Sequence, residues 1–360
     1  MTKLPAWAEF GLIPLINLGL AFGIAGIVVA LLGVNPFAAM KVMIEGAFVF
    51  DGALGYTLFY TTSLIFTGLA AAVAFHARLF TIGAEGQAYI GGLGALLVAL
   101  NAGPWLPGVV SIPLAILGAA AFGGFWAFVP GWLQAYRGSH IVITTIMFNF
   151  IASGIMVALM SGPLMRPGQP NPESALIADS ARLPLIHEIA QHLGLHVARS
   201  PLNLAFPVAL IACVVVWALI WRTRWGYALR AMGQSEDAAE YAGIKVRPMI
   251  VSAMALSGML AGLMAINVIL GAQGKVTLNF PAGFGVTGIA VALMGRSHPL
   301  GIVLAAFLFG ALVQGGTELD FEFPTITREM VLLIQGLIIL FSGALTLMFV
   351  PVLSRVLGRR

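Results

Sequence analysis

The chain has 360 residues, 60% of them hydrophobic and only 9% charged, with a net charge of +4. Soluble domains average about 25% charged and about 45–50% apolar residues, so this composition excludes a soluble globular enzyme, which would lack the charge to coat its surface. The basic residues sit between hydrophobic segments, a pattern that suits membrane orientation and excludes nucleic acid as a partner.

The first element is the uncharged run from Gly11 to Gly33, 23 residues. As helix it is about 34 Å long against a hydrocarbon core of roughly 30 Å, a full crossing. It follows Lys3 but exceeds the about 7–15-residue core of a secretory signal, and no small-residue cleavage site follows, so it reads as a retained span. Further spans are expected near 57–75, 82–100, 109–135 and 141–161, then near 202–221, 250–270, 281–295, 299–316 and 329–350. The expected fold is one all-α integral membrane domain, 1–360, of about ten transmembrane helices, with halves at 1–161 and 202–360, an outer loop 162–201 and a cytoplasmic loop 222–249. The single Cys213 lies in an apolar run, which rules out an intrachain disulfide framework and a cysteine cluster for metal, and gives it a packing role. The pairs Gly19/Gly23 and Gly258/Gly262 allow close helix approach, within the chain or between subunits.

With the N-terminus inside, the cytoplasmic segments hold Lys3, Arg78, Arg137, Arg222, Arg224, Arg230, Lys245, Arg247, Arg296, Arg355, Arg359 and Arg360. Six of the 18 basic residues fall outside, and Arg166, Arg182 and Arg199 among them lie in the long outer loop, where the positive-inside rule has little weight. Ten spans with both termini cytoplasmic is the self-consistent topology. The eighth span, 281–295, covers only about 22 Å and is expected to be broken or re-entrant. It opens at Phe280 to Gly288, FPAGFGVTG, and the third span opens similarly at Leu79 to Gln87, LFTIGAEGQ. At an offset of 199 residues, Leu79 matches Leu278, Gly86 matches Gly285 and Ile90 matches Ile289. Two five-span halves of opposite orientation, an inverted repeat with helices 3 and 8 interrupted, account for this pairing.

Glu85 is the sharpest single residue, an acid at the start of an apolar helix. An ionisable group near the membrane centre costs about 2.5–3.5 kcal/mol on insertion scales, so it faces a polar cavity or a partner. Two readings stand open: a residue of the substrate pathway, or a structural carboxylate bound to exposed N–H groups at a helix start. Gln87 and Asn149 are candidates for the same cavity. In the cytoplasmic loop, Ser235 to Ala242 is expected to form a short helix with Ser235 as N-cap, Glu236 and Asp237 in the first turn and Gly243 as the stop. Docking of a cytosolic protein and a solvated surface helix are both compatible with it, and composition alone favours the latter.

No GxxxxGK[ST] occurs, since GAQGKVT at Gly271 to Thr277 lacks the first glycine at the required spacing, so any ATP hydrolysis needs another chain. His187, His192 and His196 lie in the outer loop, and HEIAQH has one residue too many for HExxH, so they read as solvated histidines rather than metal ligands.

Four blocks carry a family resemblance: FTGLAAAVAFHARLFTIGAEGQAYIGG (Phe66 to Gly92), SHIVITTIMFNFIA (Ser139 to Ala152), RAMGQSEDAAEYAGIKV (Arg230 to Val246) and GFGVTGIAVALMGRSHPLG (Gly283 to Gly301). The chain resembles the permease subunits of bacterial ABC importers for simple sugars and nucleosides, most closely the nucleoside branch, over nearly its whole length. The resemblance implies that the 230–246 block is the coupling element that meets the ATPase. Asp237-Ala238-Ala239 with Gly243 is similar to the family's EAAxxxG core, with Asp for Glu, and the downstream Ile-x-Leu-Pro is not evident at its usual spacing. On this reading Ser235, Glu236, Asp237, Ala238, Ala239, Glu240 and Gly243 carry ATPase coupling. The implied partners are a second permease, homologous or identical, a cytosolic tandem ATPase that holds ATP and Mg, and an extracytoplasmic lipoprotein or periplasmic binding protein. The surrounding medium is lipid of the bacterial inner membrane. No cofactor is expected on this chain. A nucleoside has ribose hydroxyls and an aromatic base, so its route should mix polar and aromatic groups, and Glu85, Gln87, Asn149, Phe284 and Thr287 are the expected pathway residues. The alternative is a self-sufficient secondary transporter or channel for a small polar solute, with Glu85 as its mid-membrane acid.

Overall fold

The computed structural model describes residues 13–31, 33–168, 170–195, 197–323, 326 and 330–337. The protein is all-α: among the described residues there are isolated β-bridges but no strand. In chain order the helices are α1 (Ile13–Leu31), α2 (Pro36–Phe48), α3 (Ala53–His76), α4 (Ala84–Ala102), α5 (Gly108–Arg137), α6 (Ile141–Met160), α7 (Ile186–His192), α8 (Ala205–Arg222), α9 (Arg224–Gln234), α10 (Glu236–Tyr241), α11 (Val246–Ala265), α12 (Phe284–Met294) and α13 (Pro299–Glu322). A π-helical stretch, Ile266–Gln273, continues α11 and ends at Gly274 in the left-handed region.

Six of these helices are long and apolar enough to cross a membrane: α3, α5, α6, α8, α11 with its π extension, and α13. Gly19–Leu31 and Pro36–Phe48, bent by 118° at a short break, make a seventh at most. Length and composition therefore support a multi-span membrane protein and fall short of the expected count of ten. The shortfall has identifiable causes. α4 is 19 residues long, about 28 Å, but Glu85, Gln87, Asn101 and four glycines lower its hydropathy below that of the other long helices. α12 has only 11 residues, about 16 Å, and the expected span at 329–350 lies mostly outside the described residues, as do both termini and His196.

Two compact units divide the chain, Met1–Thr57 with Gly310–Arg360, and Leu58–Phe309. In the first, α2 starts at an Asn35 cap, with Pro36 at its first position, and packs against α13: a Cβ on Gly46 would overlap Glu318, and one on Gly315 the backbone of Met43. The core of the second is α4, α5 and α11. Gly91 faces Gly262, Gly94 faces Gly118 and Gly123 faces Gly258, so these backbones approach more closely than any side chain allows. The pair Gly258/Gly262 thus packs within the chain, whereas a Cβ on Gly19 or Gly23 meets no neighbour among the described residues.

The connection between α6 and α8 is ordered by pairing with the segment after α11. Ser174 donates its N–H to Val276 (2.9 Å), Ile177 to Gly274 (2.9 Å) and Leu183 to Leu270 (2.8 Å), and Lys275 forms an ion pair with Glu173. His187 Nδ1 lies 3.2 Å from the Ser200 carbonyl oxygen.

Candidate functional site

Two helix starts meet inside the second unit. The chain leaves α3 at His76, turns through Arg78 with φ 56°, and re-enters helix at Ala84, so Glu85 occupies the first turn of α4. Before α12, Asn279, Ala282 and Gly283 all have positive φ, which turns the backbone sharply and exposes the N–H groups of the next turn. Glu85 receives two of them: Gly283 N–H donates to Oε1 at 2.9 Å and Gly285 N–H to Oε2 at 2.8 Å. A carboxylate bridging two N–H groups at a helix N-terminus gains both hydrogen bonds and the favourable end of the helix dipole. Gly285 is required by the approach, since a Cβ there would overlap the Glu85 backbone. The structural reading of Glu85 therefore has a definite partner, and that partner is a second helix rather than its own.

α6 holds the start of α4. Asn149 Oδ1 accepts from Gly86 N–H (2.9 Å) while its Nδ2 donates to the Ile82 carbonyl (2.8 Å), and Thr145 Oγ1 lies 3.4 Å from Ile82 N. Asn149 thus positions α4 with both ends of its amide. Gln87 is only 2% exposed, and its Oε1 lacks a hydrogen-bond partner among the described residues, so it lies inside the packing in this conformation. Phe284 packs near Tyr60, with ring centroids 5.9 Å apart, and Thr287 Oγ1 donates to the Gly283 carbonyl at 3.1 Å. The structure therefore gathers Glu85, Asn149, Phe284 and Thr287 around the two helix starts.

Sequence reasoning missed Tyr89 and Asn279. Tyr89 OH donates to Asn279 Oδ1 at 2.9 Å and its ring meets Phe280 edge-on at 5.4 Å, joining α4 to the turn before α12 a second time. Tyr89 lies in the AEGQAYIGG stretch, and an aromatic with a polar tip four residues after an acid is the available signal. A further polar node went unread: Asn267, in the π-helical stretch, donates to Ser63 Oγ and the Phe59 carbonyl, and Asn203 donates to Asn267. π turns of this kind recur at functional sites.

The connection between α8 and α11 is more structured than expected. α10 forms as read, with Ser235 Oγ accepting from Ala238 N–H at 3.3 Å. Its end is a Schellman motif: Ile244 N–H reaches the Ala239 carbonyl and Gly243 N–H the Glu240 carbonyl, with Gly243 at φ 82°. Glu236, Asp237, Ala238 and Glu240 are exposed, and Tyr241 is 97% exposed. Ala239 alone of the helix points inward, into a buried cluster with Ala74, Ala77, Leu79, Leu229, Met232 and Val246. α9, which went unforeseen, lies against the end of α3, because a Cβ on Gly233 would strike the His76 carbonyl, and Arg78 Nη1 approaches the Gln234 carbonyl at 3.4 Å. A packed path thus runs from α10 through α9 to residues 77–79, next to the break that ends at Glu85.

Residues 53–343 match the family described as branched-chain amino acid transport system, permease component. The chain belongs to this permease family. It is 32% identical over 338 residues to the glucose ABC transporter permease of Haloferax volcanii, covering 94% of this chain and 88% of that one. It is 34% identical over 347 residues to the guanosine ABC transporter permease of Bacillus subtilis (92% and 93% covered), and 32% over 336 residues to the nucleoside ABC transporter permease of Lactococcus lactis (92% and 90% covered). The last two organisms each hold a second similar permease of the same stated substrate, at 25% and 26% identity respectively. The chain is thus a permease subunit of the ABC importer type, as its four sequence blocks imply.

Proposed function

We propose that this permease carries a nucleoside or a simple sugar across the bacterial inner membrane, and that α9 and α10 deliver the motion of a separate ATPase to the junction of α4 with α12. The carrying observation is the continuity of Ala239, Leu229, Met232 and Leu79 in one buried cluster, beside a break whose far side is tied to α12 by Glu85. A buried apolar cluster moves as a unit because close packing resists local deformation. The carboxylate bridge and the Tyr89–Asn279 bond give α4 and α12 a shared movement.

The substrate class rests on relatives named for guanosine, nucleosides and glucose. Phe284, Tyr60 and Thr287 beside Glu85 offer the mixture of aromatic and polar groups that a sugar or a nucleoside needs. In this reading Glu85 and Asn149 shape the pathway by holding its broken helices, and Gln87 joins it only in another conformation. The paired helix starts also support a ten-span inverted repeat; the charge bias of the sequence is the ground for putting both termini in the cytoplasm, and the permease is read as one domain over 1–360. The partners are a second permease, a tandem ATPase binding ATP and Mg, and an extracytoplasmic binding protein; this chain binds no cofactor of its own.

The test is uptake of radiolabelled guanosine, adenosine and glucose into proteoliposomes containing the chain co-purified with its partner subunits. The reading predicts ATP-dependent accumulation of one of these and its loss in Ala239→Arg, which forces a charge into the buried cluster. Accumulation unaffected by Ala239→Arg would overturn the coupling path.

A further inference from the structure

Along the outer face of α5 and α11 runs an apolar groove whose two stretches share Phe128 and Ala255. One, about 320 Å³, is lined by Ala121, Gly124, Phe125, Phe128, Ala255 and Met259. The other, about 400 Å³, continues to Trp132, Tyr136 and Pro248. From Pro248 to Met259 the helix rises about 17 Å, close to one leaflet of a roughly 30 Å core. The groove ends in charge. Arg137 lies over the Trp132 ring at 5.6 Å, Trp132 stacks on Tyr136 at 6.0 Å, and Arg247 lies over Tyr136 at 5.8 Å. Both arginines are exposed, and neither has a carboxylate partner among the described residues.

We propose that this groove is a binding site for an anionic phospholipid, with an acyl chain along Phe125, Phe128 and Met259 and the head-group phosphate between the Arg137 and Arg247 guanidiniums. Charge complementarity selects this occupant. Guanidiniums stacked on aromatic faces keep their N–H edges free for phosphate oxygens, Trp and Tyr sit at head-group depth, and basic pockets between transmembrane helices bind anionic head groups. A second permease seated in the groove would have to bring acids to two unpaired arginines.

The test uses the chain co-purified with its partner subunits, in nanodiscs of phosphatidylcholine with one quarter phosphatidylglycerol. Retained lipid is counted by native mass spectrometry. Wild type should retain phosphatidylglycerol preferentially, and each arginine contributes about five-fold to that preference, so Arg137→Gln/Arg247→Gln should lose it about 25-fold while keeping the wild-type melting temperature. Equal retention by both proteins would overturn the proposal. In a second arm, a photoreactive phenylalanine analogue at Phe125 should cross-link to lipid, and cross-linking to the second permease instead would overturn it by making the groove a subunit interface.

Discussion

Two N–H groups at the start of α12 end on the carboxylate of Glu85, so one acidic side chain caps a helix almost 200 residues away in sequence. Glu85→Ala leaves both donors without that acceptor, a loss of about 1–3 kcal/mol, to be read as a lower melting temperature of the solubilised transporter together with at least a tenfold fall in uptake. Glu85→Gln keeps an amide oxygen and loses the charge at the helix end, worth about 0.3–1 kcal/mol, so its melting temperature should fall between the other two. A Glu85→Gln protein equal to wild type in both melting and uptake would remove Glu85 from both roles. The isolated acid in an apolar run was legible in the sequence, and so was the match of Gly86 with Gly285. The pairing of Glu85 with α12 was not, because an acid followed by Gly and Gln carries no mark of which distant N–H groups it will meet. Gln87 shows the converse: a polar residue at helix depth invites a pathway role, and packing buries it.

At the scale of the element, α10 was readable because both ends carry strong local signals, Ser235 as cap and Gly243 in the left-handed region. Gly243→Ala places a Cβ at φ 82° and should cost about 1–2 kcal/mol. The effect should appear as ATP hydrolysis by the partner that no longer rises with substrate, while the chain still reaches the membrane. α2 and α9 escaped the reading for different reasons. Lys41 and Glu45 interrupt the hydropathy of α2, although Asn35 and Pro36 announce its start. α9 carries Arg224, Arg230 and two glycines, which resemble a loop; it is helical because Leu229 and Met232 bury against α3 and α11, and Gly233 lets it approach. α4 and α12 do not count as simple spans, since polar residues and glycines dilute the hydropathy of one and the other is short, while their glycine-rich starts did mark the interruption.

For the whole molecule, the positions of the helices were largely legible from hydropathy, whereas orientation and partners rest on charge bias and kinship. Cys213 is buried, so introduced cysteines have little background. Ser235→Cys should react with an impermeant maleimide only from the cytoplasmic side and His192→Cys only from outside; the reverse pattern would invert the proposed topology. Whether α10 passes the work of an ATPase to this permease is measured most directly by substrate uptake in proteoliposomes with and without the partner ATPase, for wild type and for a chain whose Asp237-Ala238-Ala239 core is replaced by glycines. Wild type should accumulate substrate only with the ATPase and ATP, and the altered chain should not accumulate it under any condition. Accumulation by either chain in vesicles without the ATPase would contradict ATP-driven import and make the protein a self-sufficient transporter.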